Sequence, residues 1–349
     1  MAITVITTLP ETVFSSNIPD VEFSVDGSSA VVTFTGNDSE QIMQTTLFPS
    51  NGRIRLRDLT GLVDAYAYRQ LVVDFNISIQ EMDGQTPEGE PVSLSTQVVF
   101  CRADVSEDAT TFCTNRFLSL LMGTKITAVG RLEYLHYVGA EQAAVTAYYS
   151  DGTSRSYTPT VTQGNDNYKT IDVSPDKFTY SGKTLTHYVV TAGSRSQRYN
   201  IDFSVPDAAP ILLFTNSFGV QELLYCVGEH EVKPEYSRSS AYMNGRMRNY
   251  KIEEVRKFNA DTGVLNTAMA NWADELFRSE EIYVCNFYNN TINVGKEIVI
   301  LDSKSERSNA LDALDRFTFT YRYAQKNQNI LQLQRAGRIF DNTFDNTFN

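Results

Sequence analysis

Chemistry in this chain would have to rest on three histidines, four cysteines and a large stock of carboxylates. His136 and His187 fall inside strand-like segments with no Cys, Asp or Glu at ligand spacing. His230 sits in Glu229-His230-Glu231, which lacks the second imidazole at i+4 that would place two metal ligands on one helical face. The cysteines, at 101, 113, 226 and 285, have no Cys-x-x-Cys spacing and read as buried free thiols. No Gly-x-Ser-x-Gly elbow, Walker loop or Gly-x-Gly-x-x-Gly turn is present. Paired acids of the glycosidase kind can come from distant strands, but 42 acidic residues make chance pairs inevitable. The residues therefore predict no enzyme, no catalytic residue, no cofactor and no metal.

Composition narrows the class further. The net charge of -12 opposes nucleic-acid binding, which needs a basic stripe. The nearest approach is Arg238 to Arg256, where Arg246, Arg248, Lys251 and Arg256 are mixed with Glu253 and Glu254, as on a solvated face. No apolar run reaches the roughly 20 residues of a membrane span. The start of the chain lacks the basic and apolar segments of a secretory signal, so synthesis and retention in a cytoplasm-like compartment are expected. Without that signal, the acceptor patterns at Asn37, Asn76 and Asn289 read as accidental.

These residues are carried mostly by strands. Twenty Phe and nineteen Tyr, with abundant Thr and Val, favour sheet over helix. Val21 to Val25 and Ala30 to Thr35 alternate around Asp26-Gly27-Ser28-Ser29 and read as a hairpin. Asp58 caps a short helix running to about Tyr68, with Leu59, Leu62, Val63 and Tyr66 on one face. Strands follow at 71–80 and 92–101 around a polar loop at 83–91, then at 125–137, with 104–111 also loop-like. Ala143 to Tyr149, Ser150-Asp151-Gly152 and Thr153 to Thr160 form a second hairpin. Pro206 and Pro210 mark a linker. Asn266 to Phe277 is the clearest helix, with Trp272 as a core anchor. Phe317, Phe319, Tyr321 and Tyr323 alternate along a last strand.

The expected fold is mainly β: several β-sandwich, Ig-like domains with a few short helices, the clearest near 266–278. The expected division is 1–136, a β-sandwich with a short helix; 137–206, a small Ig-like unit; and 207–349, a β-rich unit with one amphipathic helix and an aromatic tail. That tail repeats Phe-Asp-Asn-Thr and sets Phe340, Phe344 and Phe348 at regular intervals. The expectation for it is docking on its own domain, insertion into a neighbour, or disorder. The long polar stretches at 83–91 and 233–250 are candidates for the same contact.

The segment Phe214-Thr-Asn-Ser-Phe-Gly219, trailed by Gln221-Glu222-Leu-Leu-Tyr225 and Gly228, resembles tail and baseplate proteins of phages and prophages of Bacteroides-type gut bacteria. Trp272-Ala-Asp-Glu-Leu-Phe-Arg-Ser279, Phe317 to Ala324, the Phe-Asp-Asn-Thr ending and the segment Leu47 to Leu59 are similar to the same group. The resemblance covers mainly 205–349 and marks no catalysis. It implies a non-enzymatic virion structural subunit made in the host cytoplasm and placed in the tail. Its expected partners are copies of itself in a ring and other tail or baseplate proteins. Phe214, Asn216, Phe218, Gly219, Phe340, Phe344 and Phe348 are then the candidate interaction residues. Gly219 suits a tight turn and Asn216 suits fixing it through its side chain. The alternative function is a glycan-binding adhesin or receptor-binding module, with exposed aromatics as platforms.

Overall fold

The computed structural model describes residues 3–165, 167–288, 291–305 and 314–324. It is a mainly-β, multi-domain sandwich fold: two sandwiches in sequence, then one long antiparallel sheet with a helix against it.

The first unit opens with β1 (Thr4–Val5), β2 (Thr12–Phe14), β3 (Val21–Ser24), β4 (Ser29–Thr35), β5 (Gln41–Leu47) and β6 (Arg53–Leu56). Helix α1 (Leu59–Gln70) and the long strands β7 (Val72–Asp83) and β8 (Thr86–Val99) complete it. The sheets run β1-β3-β6 and β2-β8-β7-β4-β5. Alternation along β4 and β7 turns Val32, Phe34, Phe75 and Ile77 inward against Phe23, Ile54 and the α1 residues Leu59, Val63 and Tyr66. Asp58 accepts the Gly61 N–H at 3.2 Å, which is the cap read from sequence.

Two local expectations change. The segments flanking Asp26-Gly27 are not a hairpin, because β3 pairs with β1 and β6 while β4 pairs with β5 and β7. The chain instead arches from one sheet to the other. Glu81, buried on β7, holds the arch by accepting the N–H groups of Asp26, at 2.8 Å, and of Gly27. Removing that acceptor leaves both donors unmatched, so Glu81→Ala is expected to cost about 2–3 kcal/mol in denaturant unfolding. The polar stretch 83–91 is itself strand, since β7 and β8 pair through Asp83↔Thr86 and turn at Gly84-Gln85. Pro87 is tolerated there because β2 pairs with β8 only at Gln97–Val99, leaving the edge beside Pro87 open.

The second unit begins with α2 (Ala109–Asn115), formed where a loop was expected; Asp108 caps it by accepting the Thr111 N–H at 2.9 Å. Strands β9 (Lys125–Thr127), β10 (Tyr134–Val138), β11 (Ala143–Tyr149) and β12 (Ser154–Tyr157) follow. Next come β13 (Thr160–Gly164), β14 (Tyr168–Asp172), β15 (Leu185–Ala192) and β16 (Arg195–Ile201). The sheets run β10-β14-β13 and β12-β11-β15-β16-β9. β11 and β12 form the hairpin expected around Asp151-Gly152. β9 lies ahead of residue 137 and β10 runs across it, yet both pair with strands beyond it, through Tyr199↔Lys125 and Leu135↔Ile171. Tyr188 and Tyr199 stack at 4.7 Å in this core, and the Tyr188 hydroxyl donates to the Val173 carbonyl.

The third unit contains β17 (Ile211–Thr215), β18 (Gln221–Tyr225), β19 (Glu231–Met243) and β20 (Arg246–Asp261). Helix α3 (Thr267–Ala273), β21 (Ile282–Tyr288), β22 (Thr291–Lys304) and β23 (Thr318–Tyr323) follow. One sheet runs β18-β17-β21-β22-β23-β20-β19. Asn266 caps α3 by accepting the Met269 N–H, and a 3-10 turn extends the helix to Arg278. Trp272 is fully buried among Leu212, Phe214, Leu276, Phe317 and Phe319, the anchor that its spacing predicts.

Candidate functional site

Of the residues singled out for chemistry, the histidines and cysteines are drawn into structure. His136 is buried between Thr170 and the Gln221 carbonyl, and burial pushes its imidazole down to about 4, so it is neutral near pH 7. His187 stacks on Tyr148 at 4.5 Å. His230 lies against Phe258 and Tyr321, with Nε2 2.9 Å from the Tyr321 hydroxyl. All four cysteines are free and buried, and burial raises Cys101 and Cys113 to about 12, which suppresses thiolate chemistry. Among the described residues no group of three or more His, Cys, Asp and Glu could hold a metal ion. Asn37 donates its amide to the Val72 carbonyl and accepts the Asp74 N–H.

The turn singled out at 214–219 is built as its residue types predict. Asn216 Oδ1 accepts the N–H groups of Phe218 and Val220, and Gly219 takes φ +75°. Its side chains do not face a neighbour, however. Phe214, Asn216 and Phe218 are buried inside the chain, so their role is internal rather than a direct intermolecular contact. Phe218 packs with Phe14 of the first unit and Phe112 of α2, its ring centroid 6.1 Å and 5.1 Å from theirs. Leu118, Val138, Val72 and Val99 join the same cluster, which therefore draws on all three units. Gly219 sits so close to the first unit that a Cβ would lie 2.9 Å from both Leu71 and Phe100. Phe340, Phe344 and Phe348 lie outside the described residues.

Behind the turn runs a buried polar chain that sequence spacing did not reveal. Asn216 Nδ2 and Trp272 Nε1 each donate to Glu222 Oε2 at 2.9 Å. Lys125 Nζ stands 4.4 Å from the Trp272 ring centre and donates to Glu133 at 2.7 Å, while Thr127 donates to the other Glu133 oxygen. Glu275 accepts the Ser217 N–H at 3.0 Å. The only hint of this in sequence is charge placed inside apolar segments, as at Glu222 in Gln221-Glu-Leu-Leu-Tyr225.

Burial, reinforced by the nearby Glu222 charge, raises the Glu275 carboxyl to about 7. Between the ordinary glutamate value of about 4.3 and that level, the folded state keeps a proton that the unfolded chain releases. Stability contributed by this group is thus full at low pH, falls as pH rises through the window and levels off above it. Glu275→Gln keeps an acceptor for Ser217 and removes the titration. The variant is expected to be more stable than the parent at pH 8 by about 3–4 kcal/mol, and by only about 1 kcal/mol at pH 5. Denaturant melts at both values measure this; an identical gap at the two would show that Glu275 does not titrate there.

Two exposed features stand out among the described residues. One is a cleft of about 560 Å³ where the three units meet, lined by Tyr68, Tyr134, Tyr168, Gln163, Gln221 and Glu281 among others. The other is a β-ribbon where a polar loop was expected at 233–250. β19 and β20 pair from Glu231↔Asn259 out to Met243↔Arg246 and turn at Asn244-Gly245, both at positive φ. β23 accompanies β20 only at Phe258–Asp261, so Arg246–Lys257 and its partner strand project as a two-stranded arm about 40 Å long. The cross-strand register sorts the arm into two faces. Tyr236, Tyr242, Met247 and Ile252 share one with Arg238; Arg246, Arg248 and Lys251 share the other with Met243. Tyr242, Met247 and Tyr250 are 74%, 63% and 65% exposed, far more than a ribbon face with a settled partner would be.

The architecture defines a mainly-β, multi-domain sandwich protein that exposes this arm and this cleft. No protein-family model matches the sequence, and no curated protein matches it. Among solved structures, the chain is similar to the titin Ig tandem domains A164-A165, at 12% identity over 57% of this chain and 96% of that one, with a TM-score of 0.25. It is similar to an ICAM-5 D1-D4 ectodomain fragment at 12% identity over 73% and 75%, with a TM-score of 0.23. It is also similar to the calcium binding domain CBD12 of CALX1.1, at 10% identity over 55% and 80%, with a TM-score of 0.20. Scores this low carry no argument about function. Among the described residues no helix is long and apolar enough to cross a membrane.

Proposed function

We propose that this chain is a non-enzymatic structural subunit that builds an assembly, with a phage tail or baseplate as its setting. The observation that carries the reading is the projecting β19–β20 arm. A two-stranded ribbon is marginal by itself in water, and this one presents Tyr236, Tyr242 and Met247 along a face that its own chain leaves uncovered. A partner protein surface would supply the missing burial. The resemblance of 205–349 to phage tail and baseplate proteins supplies the setting: copies of the chain in a ring, joined to other tail proteins. Antibody raised against the purified chain is expected to label the tails of intact particles. Label confined to unassembled material would overturn the reading.

A second reading, a glycan-binding adhesin or receptor-binding module, is favoured by the cleft, because tyrosines beside amide and carboxylate groups suit a sugar. A glycan array separates the two. Saturable binding that Tyr134→Ala and Tyr168→Ala both abolish would favour the adhesin.

A further inference from the structure

We infer that the β19–β20 arm docks on a second copy of this chain, against the acidic β7–β8 hairpin of the first unit. The inference rests on the structural-subunit reading and names the partner of its arm.

The argument begins with charge. Residues 236–250 hold Arg238, Arg246 and Arg248 and no acidic residue. Taking those three from the chain's 30 basic residues leaves 27 against 42 acidic ones, so the outer part of the arm is a basic tip on an acidic body. Lys251 is paired with Glu253 at 2.6 Å, whereas Arg238, Arg246 and Arg248 have no ion pair among the described residues. Arg238 lies over Tyr236, which leaves its charge available. The opposite imbalance occurs at β7–β8. Val72–Val99 contains Asp74, Glu81, Asp83, Glu88 and Glu90 and no lysine or arginine. Asp83 and Glu90 are exposed near the hairpin tip, where the β8 edge is also free of any strand partner. A basic two-stranded tip and an acidic hairpin with an open edge are complementary in charge and in backbone pairing capacity.

The contact joins different patches on the two copies, so it is heterologous and continues from copy to copy until rotation closes a ring. A nucleic acid is the other class of occupant that a basic ribbon suits. The acidic body disfavours it, since a duplex lying along the arm would meet the repulsion of a net charge of -12.

The test uses the full purified chain and its mass in solution by light scattering over a range of concentrations. The wild-type chain is expected to form a discrete oligomer that weakens at least tenfold when salt rises from about 0.1 M to about 0.5 M. Arg246→Glu with Arg248→Glu is expected to give monomer with an unchanged thermal transition. Asp83→Lys with Glu88→Lys and Glu90→Lys is expected to do the same, and mixing the two variants to restore a heteromeric complex. A wild-type chain monomeric at every concentration overturns the inference, as does an oligomer indifferent to the arginine changes. Retardation of a DNA duplex by wild-type monomer, lost in the arginine variant, overturns it in favour of nucleic acid. Because particle labelling is independent of these masses, a monomer that still labels tails sinks the self-contact alone and leaves the structural-subunit reading standing.

Discussion

Replacing Phe218 with alanine is expected to cost about 3–5 kcal/mol, because it empties a fully buried ring site shared by all three units. The loss is more than a cavity in one core. Phe218 leaves the third unit on the Asn216 turn and fills the space between Phe14 and Phe112, so its removal loosens a joint. Calorimetry should read this as a change in cooperativity: one transition in the parent, and separate transitions for the first unit and the remainder in the variant. Gly219→Ala is expected to act in the same direction, since φ +75° strains any side chain and the added Cβ meets Leu71 and Phe100. A single unsplit transition at the parent temperature for both variants would show that the joint does not couple the units.

Lysine 125 carries the second large effect. Lys125→Met is expected to destabilise the chain by about 3–5 kcal/mol, because it leaves Glu133 buried with the Thr127 hydroxyl but without its paired ammonium, Arg131 being the remaining nearby cation. The Lys125 charge also favours ionisation of Glu222, so its loss reaches the carboxylate that holds Asn216 and Trp272. Adding Glu133→Gln to Lys125→Met is expected to recover most of the loss, since an apolar stem facing a neutral amide no longer strands a charge. Urea midpoints of the two single variants and the double variant measure the cycle. Additive losses would mean that the pair is not coupled.

Local features were legible in the sequence where a few adjacent residues decide them. Asp151-Gly152 between alternating segments specified a hairpin, the spacing of Met269, Trp272 and Leu276 specified a helix, and Asn216 with Gly219 specified a turn. The Asp26-Gly27 segment has the same kind of signal but becomes an arch, because its decisive partner is Glu81, far along the chain. The arm was missed for a different reason. Its ribbon buries neither face in this chain, so alternation between apolar and polar positions had no core to report, although Asn244-Gly245 is a strong hairpin pair. The junction was the least legible. The partners of Asn216 and Trp272 are set by tertiary approach, and Glu222 looks in sequence like any acid on a strand.

Strand β20 runs from Arg246 at the arm's tip, through one bulge at Tyr250, to Phe258 and Asp261 at the root. Hydrogen-bonded strand resists stretching, and its last residues are clamped: Phe258 against Tyr321 at 4.9 Å and Asp261 by Arg316. The arm is therefore a lever with its fulcrum at the root. A sideways displacement of the tip is delivered as torque on the His230–Phe258–Tyr321 stack, close to the helix that holds the Asn216 turn through Glu275. Load taken up at the tip is therefore expected to reach the arm's root before any other part of the third unit.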